Sequence, residues 1–156
     1  MKTLIIGLGN PILTDDGIGI EVARSVSCRL GDESGVDVTE LSIGGLALME
    51  TMIGYDKIIL IDAMQTKDGS PGMVKRMNLD DLQAISTTQH HASPHDANLI
   101  TALSLGKKLG ISLPEDITIF AIEVENVTDF NDHLTPAVAA AVPYLTKIII
   151  SELANN

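Results

Sequence analysis

At 156 residues the chain has room for one domain with a single substantial core, and residues 1–156 are read as that domain. Hydrophobic residues make up 45% but aromatic ones only 3%, so the core must be aliphatic, as is usual in parallel sheets covered by helices. Acidic residues outnumber basic ones 21 to 10, a net charge of −11, and no Lys/Arg cluster is long enough to neutralise a run of phosphates, which argues against nucleic acid as a partner.

In chain order, Leu4-Ile5-Ile6 has the length and β-branched content of a buried strand, and it stops at Gly7 and Gly9, where the backbone can turn sharply. Thr14-Asp15-Asp16-Gly17 then reads as a helix start, because Thr and Asp side chains accept from the unpaired amides of a first turn. The helix from Gly17 to Leu30 is amphipathic, with Ile18, Val22, Ala23 and Val26 inside. Cys28, the lone cysteine, falls in that apolar pattern and is expected to be a buried thiol, and a single cysteine excludes an internal disulfide. Val36 to Ile43 alternates as a half-exposed strand ending at Gly44-Gly45, and Leu46 to Ile53 is a short helix. Lys57 to Ala63 is the clearest strand, continuously apolar until Asp62.

Met73 to Met77 is expected as a short edge strand, followed by a helical turn over Asn78 to Ile85 capped by Asn78. Ser86 to Ala92 has no periodicity and reads as a loop, with His90 and His91 facing water. Ser93-Pro94-His95 opens a helix that runs to Gly110. Asp116 to Ile122 is another strand, leading into an acidic loop in which Glu123 and Glu125 are expected to be solvated; His133 is read the same way. Thr135-Pro136 opens the last helix, which Pro143 should kink or split. No stretch approaches the ~20 apolar residues of a membrane span, and the N-terminal apolar run is too short for a signal-peptide core. A cytoplasmic protein is expected. Strands alternating with helices imply an α/β fold: a mostly parallel sheet with helices on both faces and one antiparallel edge strand.

Asp16, Asp62 and His95 stand out because each lies just past a strand end or at a helix start. In a parallel sheet these positions gather at the carboxyl edge, where ligands and catalytic groups collect. Two carboxylates and an imidazole would suit a divalent metal such as zinc, nickel or iron. Taken singly they have plainer readings: Asp15 and Asp16 as helix caps, His95 as a surface residue. Asp62 is harder to dismiss, since a carboxylate closing an apolar strand needs a partner. No Gly-x-Ser-x-Gly elbow is present, so hydrolysis here would rely on water activated by carboxylate or metal.

These residues carry a family resemblance. GLGNPILTDDGIG at Gly7 to Gly19, Ile61-Asp62, SPH at Ser93 to His95 and LTP at Leu134 to Pro136 together resemble the hydrogenase maturation endopeptidases, in the right order and over nearly the whole chain. The resemblance implies a cytoplasmic α/β protease that removes a C-terminal extension from the large-subunit precursor of a nickel-iron hydrogenase after nickel insertion. It also implies that Asp16, Asp62 and His95 are at once the metal-contacting and the catalytic residues, as in a carboxylate-based aspartyl-type protease. Nickel would arrive with the precursor, and other divalent metals would be able to occupy the site in vitro. Many relatives carry Glu at the position of Asp16, and many have an acidic residue where this chain has Ile43. A metal-dependent docking protein that checks the precursor without cutting it would show the same ligands. GLGNP also resembles the opening of bacterial peptidyl-tRNA hydrolases, but their His-Asn pair is replaced here by Thr14-Asp15-Asp16-Gly17, and −11 would repel a polyanion. A dinucleotide site is disfavoured by Ile12 at the third glycine position and by the two carboxylates that would face the pyrophosphate. The acidic surface would complement a basic tail on the substrate, with salt-dependent processing as its signature.

Overall fold

A computed structural model describes residues 1–31, 35–87 and 94–155, with side chains at 1–31, 35–85 and 99–155. The elements follow as β1 (Thr3–Leu8), a 3-10 turn (Thr14–Gly17), α1 (Ile18–Leu30), β2 (Val36–Leu41), α2 (Leu46–Met52), β3 (Lys57–Met64), β4 (Val74–Met77), α3 (Leu79–Thr87), α4 (Pro94–Lys108), β5 (Asp116–Glu123), α5 (Pro136–Ala139) and α6 (Ala141–Ala154). The five strands form one sheet in the order β2-β1-β3-β5-β4. All neighbours are parallel except β4, which runs antiparallel on the edge beside β5, as expected.

Both faces of the sheet are covered, which explains why β1, β3 and β5 are nearly continuous apolar runs. Ile5, Ile59, Ile61, Ala63, Phe120 and Ile122 point toward α1 and α6, while Leu4, Ile6, Leu60, Met64, Ile119 and Ala121 point toward α2, α3 and α4. Successive strand residues alternate between faces, so Asp62, between Ile61 and Ala63, lies on the α4 side with Leu60 and Met64. Helix α4 leads back into a parallel strand, so its N-terminus lies at the carboxyl edge of the sheet.

Several expectations are corrected. Cys28 is exposed rather than buried. The buried stripe of α1 is Ile18, Gly19, Ile20, Val22, Ala23 and Val26, and Cys28, two residues beyond Val26, is turned about 200° away from it. The last helix does split, but at Ala140, three residues before Pro143. Proline cannot bond to the carbonyl of Ala139 and its ring clashes there, so the break falls one turn upstream and Pro143 sits in the first turn of α6. The segment Pro136–Ala154, with a mean hydropathy of 1.5, is long and apolar enough to cross a bilayer, contrary to the sequence reading. Here Val138, Ala141, Leu145 and Ile149 are buried in the core face shared with α1, as in the core helix of a globular domain. The cap of α3 is as expected: Asn78 Oδ1 accepts the Asp81 amide at 2.8 Å, and Asp81 Oδ2 accepts the Asn78 amide at 3.0 Å. Residues 88–93, including His90, His91 and Ser93, lie outside the described residues.

Candidate functional site at the carboxyl edge of the sheet

The start of α1 is wedged into the notch between the ends of β1 and β3. A Cβ on Gly19 would lie 2.3 Å from the Leu8 carbonyl oxygen and 2.4 Å from that of Ile61, so only glycine lets the helix approach so closely. This packing brings the 3-10 turn carrying Asp16 to the same edge as Asp62, the residue after Ile61.

Asp15 and Asp16 have different fates, and neither caps the helix, since no side-chain cap bond is made at either helix start. Asp15 is fully buried. Its Oδ2 accepts the amides of Glu125 (3.2 Å) and Asn126 (3.1 Å), its Oδ1 accepts the amide of Thr135 (2.8 Å), and the Thr135 hydroxyl lies 2.9 and 3.0 Å from the two oxygens. Asp15 therefore pins the loop after β1 to the loop after β5. Asp16 stays partly exposed, and its Oδ2 accepts the Asn10 amide at 2.8 Å. Backbone pairing completes the junction: Asp15 N donates to Asn126 O, Asn131 N to Ile12 O and Thr14 N to Asn131 O. Thr14 adopts φ +50°, a left-handed conformation unusual for threonine, within this pairing.

Asp62 is 2% exposed at the end of β3, and its Oδ1 accepts the Ala63 amide at 2.8 Å. Glu123 corrects the expectation of a solvated loop. It is the last residue of β5, 2% exposed, and its carboxylate accepts the Thr66 amide at 2.6 Å and the Thr66 hydroxyl at 3.0 Å. The loop after β3 closes so tightly over it that a Cβ on Gly69 would lie 1.9 Å from the Glu123 Cδ. Glu125 is exposed, as expected, and so is His133, which pairs with Asp132.

His95 is the second residue of α4, so its backbone lies at the carboxyl edge on the Asp62 side of the sheet. Its side chain lies outside those described. Among the described residues no three His, Cys, Asp or Glu side chains are grouped to hold a metal ion. Ile43, where the family resemblance implies an acid, is 68% exposed just beyond the end of β2 at this edge. A hollow of about 330 Å³ lined by Leu79, Ile100, Leu103, Leu113 and Ile117 lies at the foot of β5, the other end of the sheet from these carboxylates.

The sequence reading missed the clamps made by Asp15 and Glu123. Thr135 before Pro136 looked like a helix cap, but its hydroxyl serves a carboxylate 120 positions away. The only local hint for Asp15 was a second acid beside Asp16.

Carboxylates gathered at the carboxyl edge of a doubly wound sheet define an α/β protein with an acidic site where the strands end. The family model described as hydrogenase maturation protease matches residues 20–152, and the chain belongs to that family of peptidases. The hydrogenase 2 maturation protease of Escherichia coli is 27% identical over 150 residues, covering 96% of this chain and 89% of that protein. The solved structure of the hydrogenase maturating endopeptidase HybD from E. coli superposes with a TM-score of 0.82 at 25% identity, covering 99% of this chain and 93% of that one. The [NiFe] hydrogenase maturation protease HybD from Thermococcus kodakarensis has the same fold, with a TM-score of 0.76 at 23% identity over 98% of this chain and 99% of that one.

Proposed function

We propose that this protein is an endopeptidase that removes the C-terminal extension of a nickel-iron hydrogenase large-subunit precursor once nickel has been inserted. The observation that carries the reading is that Asp16, in the turn that follows β1, and Asp62, near the end of the neighbouring strand β3, both lie at the carboxyl edge of the sheet, in a chain of the hydrogenase maturation protease family. Asp16, Asp62 and His95 are the proposed catalytic residues and the proposed contacts to nickel, which is cargo of the precursor. Two carboxylates and an imidazole fit such an ion by their donor chemistry, and other divalent metals are expected to occupy the same place in vitro.

In this reading the three side chains test whether the precursor carries nickel and orient its C-terminal segment across the carboxyl edge. Asp62, with Oδ1 held by its neighbour's amide, is the proposed general base: it takes a proton from the attacking water and returns one to the leaving amine. Asp16, fixed through Asn10 and partly exposed, meets the substrate from the turn that follows β1. The expected setting is cytoplasmic, with no nucleic acid or membrane partner.

The test is incubation with nickel-loaded and nickel-free precursor, read by mass spectrometry for loss of a C-terminal peptide. Cutting of the loaded form alone is expected. Binding without cutting would identify a docking protein, and indifference to both forms would overturn the assignment of substrate.

A further inference from the structure

The chain has only two phenylalanines, and they are treated in opposite ways. Phe120 is buried in β5 at 1% exposure, whereas Phe130 stands 82% exposed in the loop after β5. Ile12, 53% exposed, sits in the loop after β1. Leu13 and Asn131 form a parallel bridge, through Asn131 N to Ile12 O at 3.0 Å and Thr14 N to Asn131 O at 2.9 Å. Ile12 and Phe130 each precede a bridge partner by one residue, so the bridge brings together the two loop segments that carry them.

The exposure does not come from a loosely held loop. The Thr14 hydroxyl donates to the Asp129 carbonyl at 2.7 Å, and Asn126 Oδ1 accepts the amides of Thr128 (3.2 Å) and Asp129 (3.1 Å). Asn126 Nδ2 donates to Asp129 Oδ2 at 2.8 Å, and Asn10 Oδ1 accepts the Ile12 amide at 3.2 Å. The frame thus holds the backbone that carries an exposed aromatic and an exposed aliphatic side chain, so a partner covering them has little backbone left to order. Asp16 is tied into the same loop, its amide donating to the Leu13 carbonyl at 3.1 Å.

We infer that Ile12 and Phe130 form an apolar clamp beside the carboxylates that grips an apolar side chain of the precursor's C-terminal segment and sets the segment's position at Asp16. This rests on the proposed substrate. Continuity with the carboxylate loop favours that occupant over a second copy of the chain. The exposed acids of this loop, Asp132 above all, disfavour an acidic peptide.

The experiment compares wild type with Phe130→Ser, Ile12→Ser and the double variant, using full-length protein and nickel-loaded precursor. Each single change should raise KM about tenfold and the pair more, with the loss in KM rather than in kcat. Phe130→Leu should restore most of the affinity, and thermal unfolding should not move, because both side chains are exposed. Precursor binding is also measured in an Asp62→Asn background, where Phe130→Ser should weaken the Kd about tenfold whether or not wild type cuts. Uncut precursor with Phe130-dependent binding would remove the protease reading and leave the clamp standing. An unchanged Kd, a loss confined to kcat, or sedimentation showing that Phe130→Ser only dissolves a self-associated form would overturn the clamp.

Discussion

The two ends of the sheet handle charge differently. At the amino end, the nearly buried Lys57 ammonium lies 3.8 Å from Asp116, whose side chain is 57% exposed, and the Asp56 carboxylate accepts the Lys2 backbone amide at the surface. Charge there reaches solvent within one side-chain length. At the carboxyl end Asp15, Asp62 and Glu123 are all nearly or fully buried, and Asp15 and Glu123 each draw a loop inward through amides and hydroxyls of residues distant in sequence. Burying a carboxylate is costly unless several donors meet it. The carboxyl end meets that cost by folding loops around its acids, and it thereby holds Asp16 and Asp62 in place.

Substitutions at the two ends should therefore differ in kind and size. The largest expected effect on activity is Asp62→Asn, a near-isosteric change that removes the proposed base. Processing should fall by on the order of 10²–10⁴-fold, with a melting temperature close to wild type. Full processing by the variant would take Asp62 out of the mechanism. Asp15→Ala should have the largest effect on stability, because it strands the amides of Glu125, Asn126 and Thr135. A loss of about 3 kcal/mol or more is expected from denaturant unfolding, together with lower processing as Asp16 loses its support.

Gly69→Ala should cost about 1–3 kcal/mol, since its Cβ would overlap the Glu123 carboxylate and force the loop outward. Thr66→Val, which deletes one donor to Glu123 and leaves the amide in place, should cost about 1 kcal/mol. The smallest effect is expected at the amino end. Lys57→Met loses a long ion pair to a largely exposed partner, so stability should change by less than about 1 kcal/mol and processing not at all. If Lys57→Met proved as damaging as Asp15→Ala, the contrast between the two ends would be false.

Much of the architecture was legible because its signals are local. The apolar runs Leu4 to Ile6, Lys57 to Ala63 and Asp116 to Ile122 could be recognised as strands buried on both faces, and Gly7 and Gly9 marked the end of the first. The carboxyl-edge positions of Asp16 and Asp62 followed from strand polarity alone, and the family followed from four short motifs in order. Cys28 was misread because helical spacing locates an apolar stripe only to within a residue or two near a helix end, where little packs against it. Glu123 was misread because an acid after an apolar strand looks the same whether water or a folded-back loop receives it.

The strands, their direction and the edge at which the acids collect were written in residue order, since hydrophobic period and turn chemistry act over a few neighbours. The partners of Asp15 and Glu123, the close approach at Gly19 and the bridge between the loops that carry Ile12 and Phe130 were decided only in three dimensions. Most of these join residues dozens of positions apart, up to 120 for Asp15 and Thr135, and a hydrogen bond or contact between such residues has no periodicity along the chain for a sequence to display.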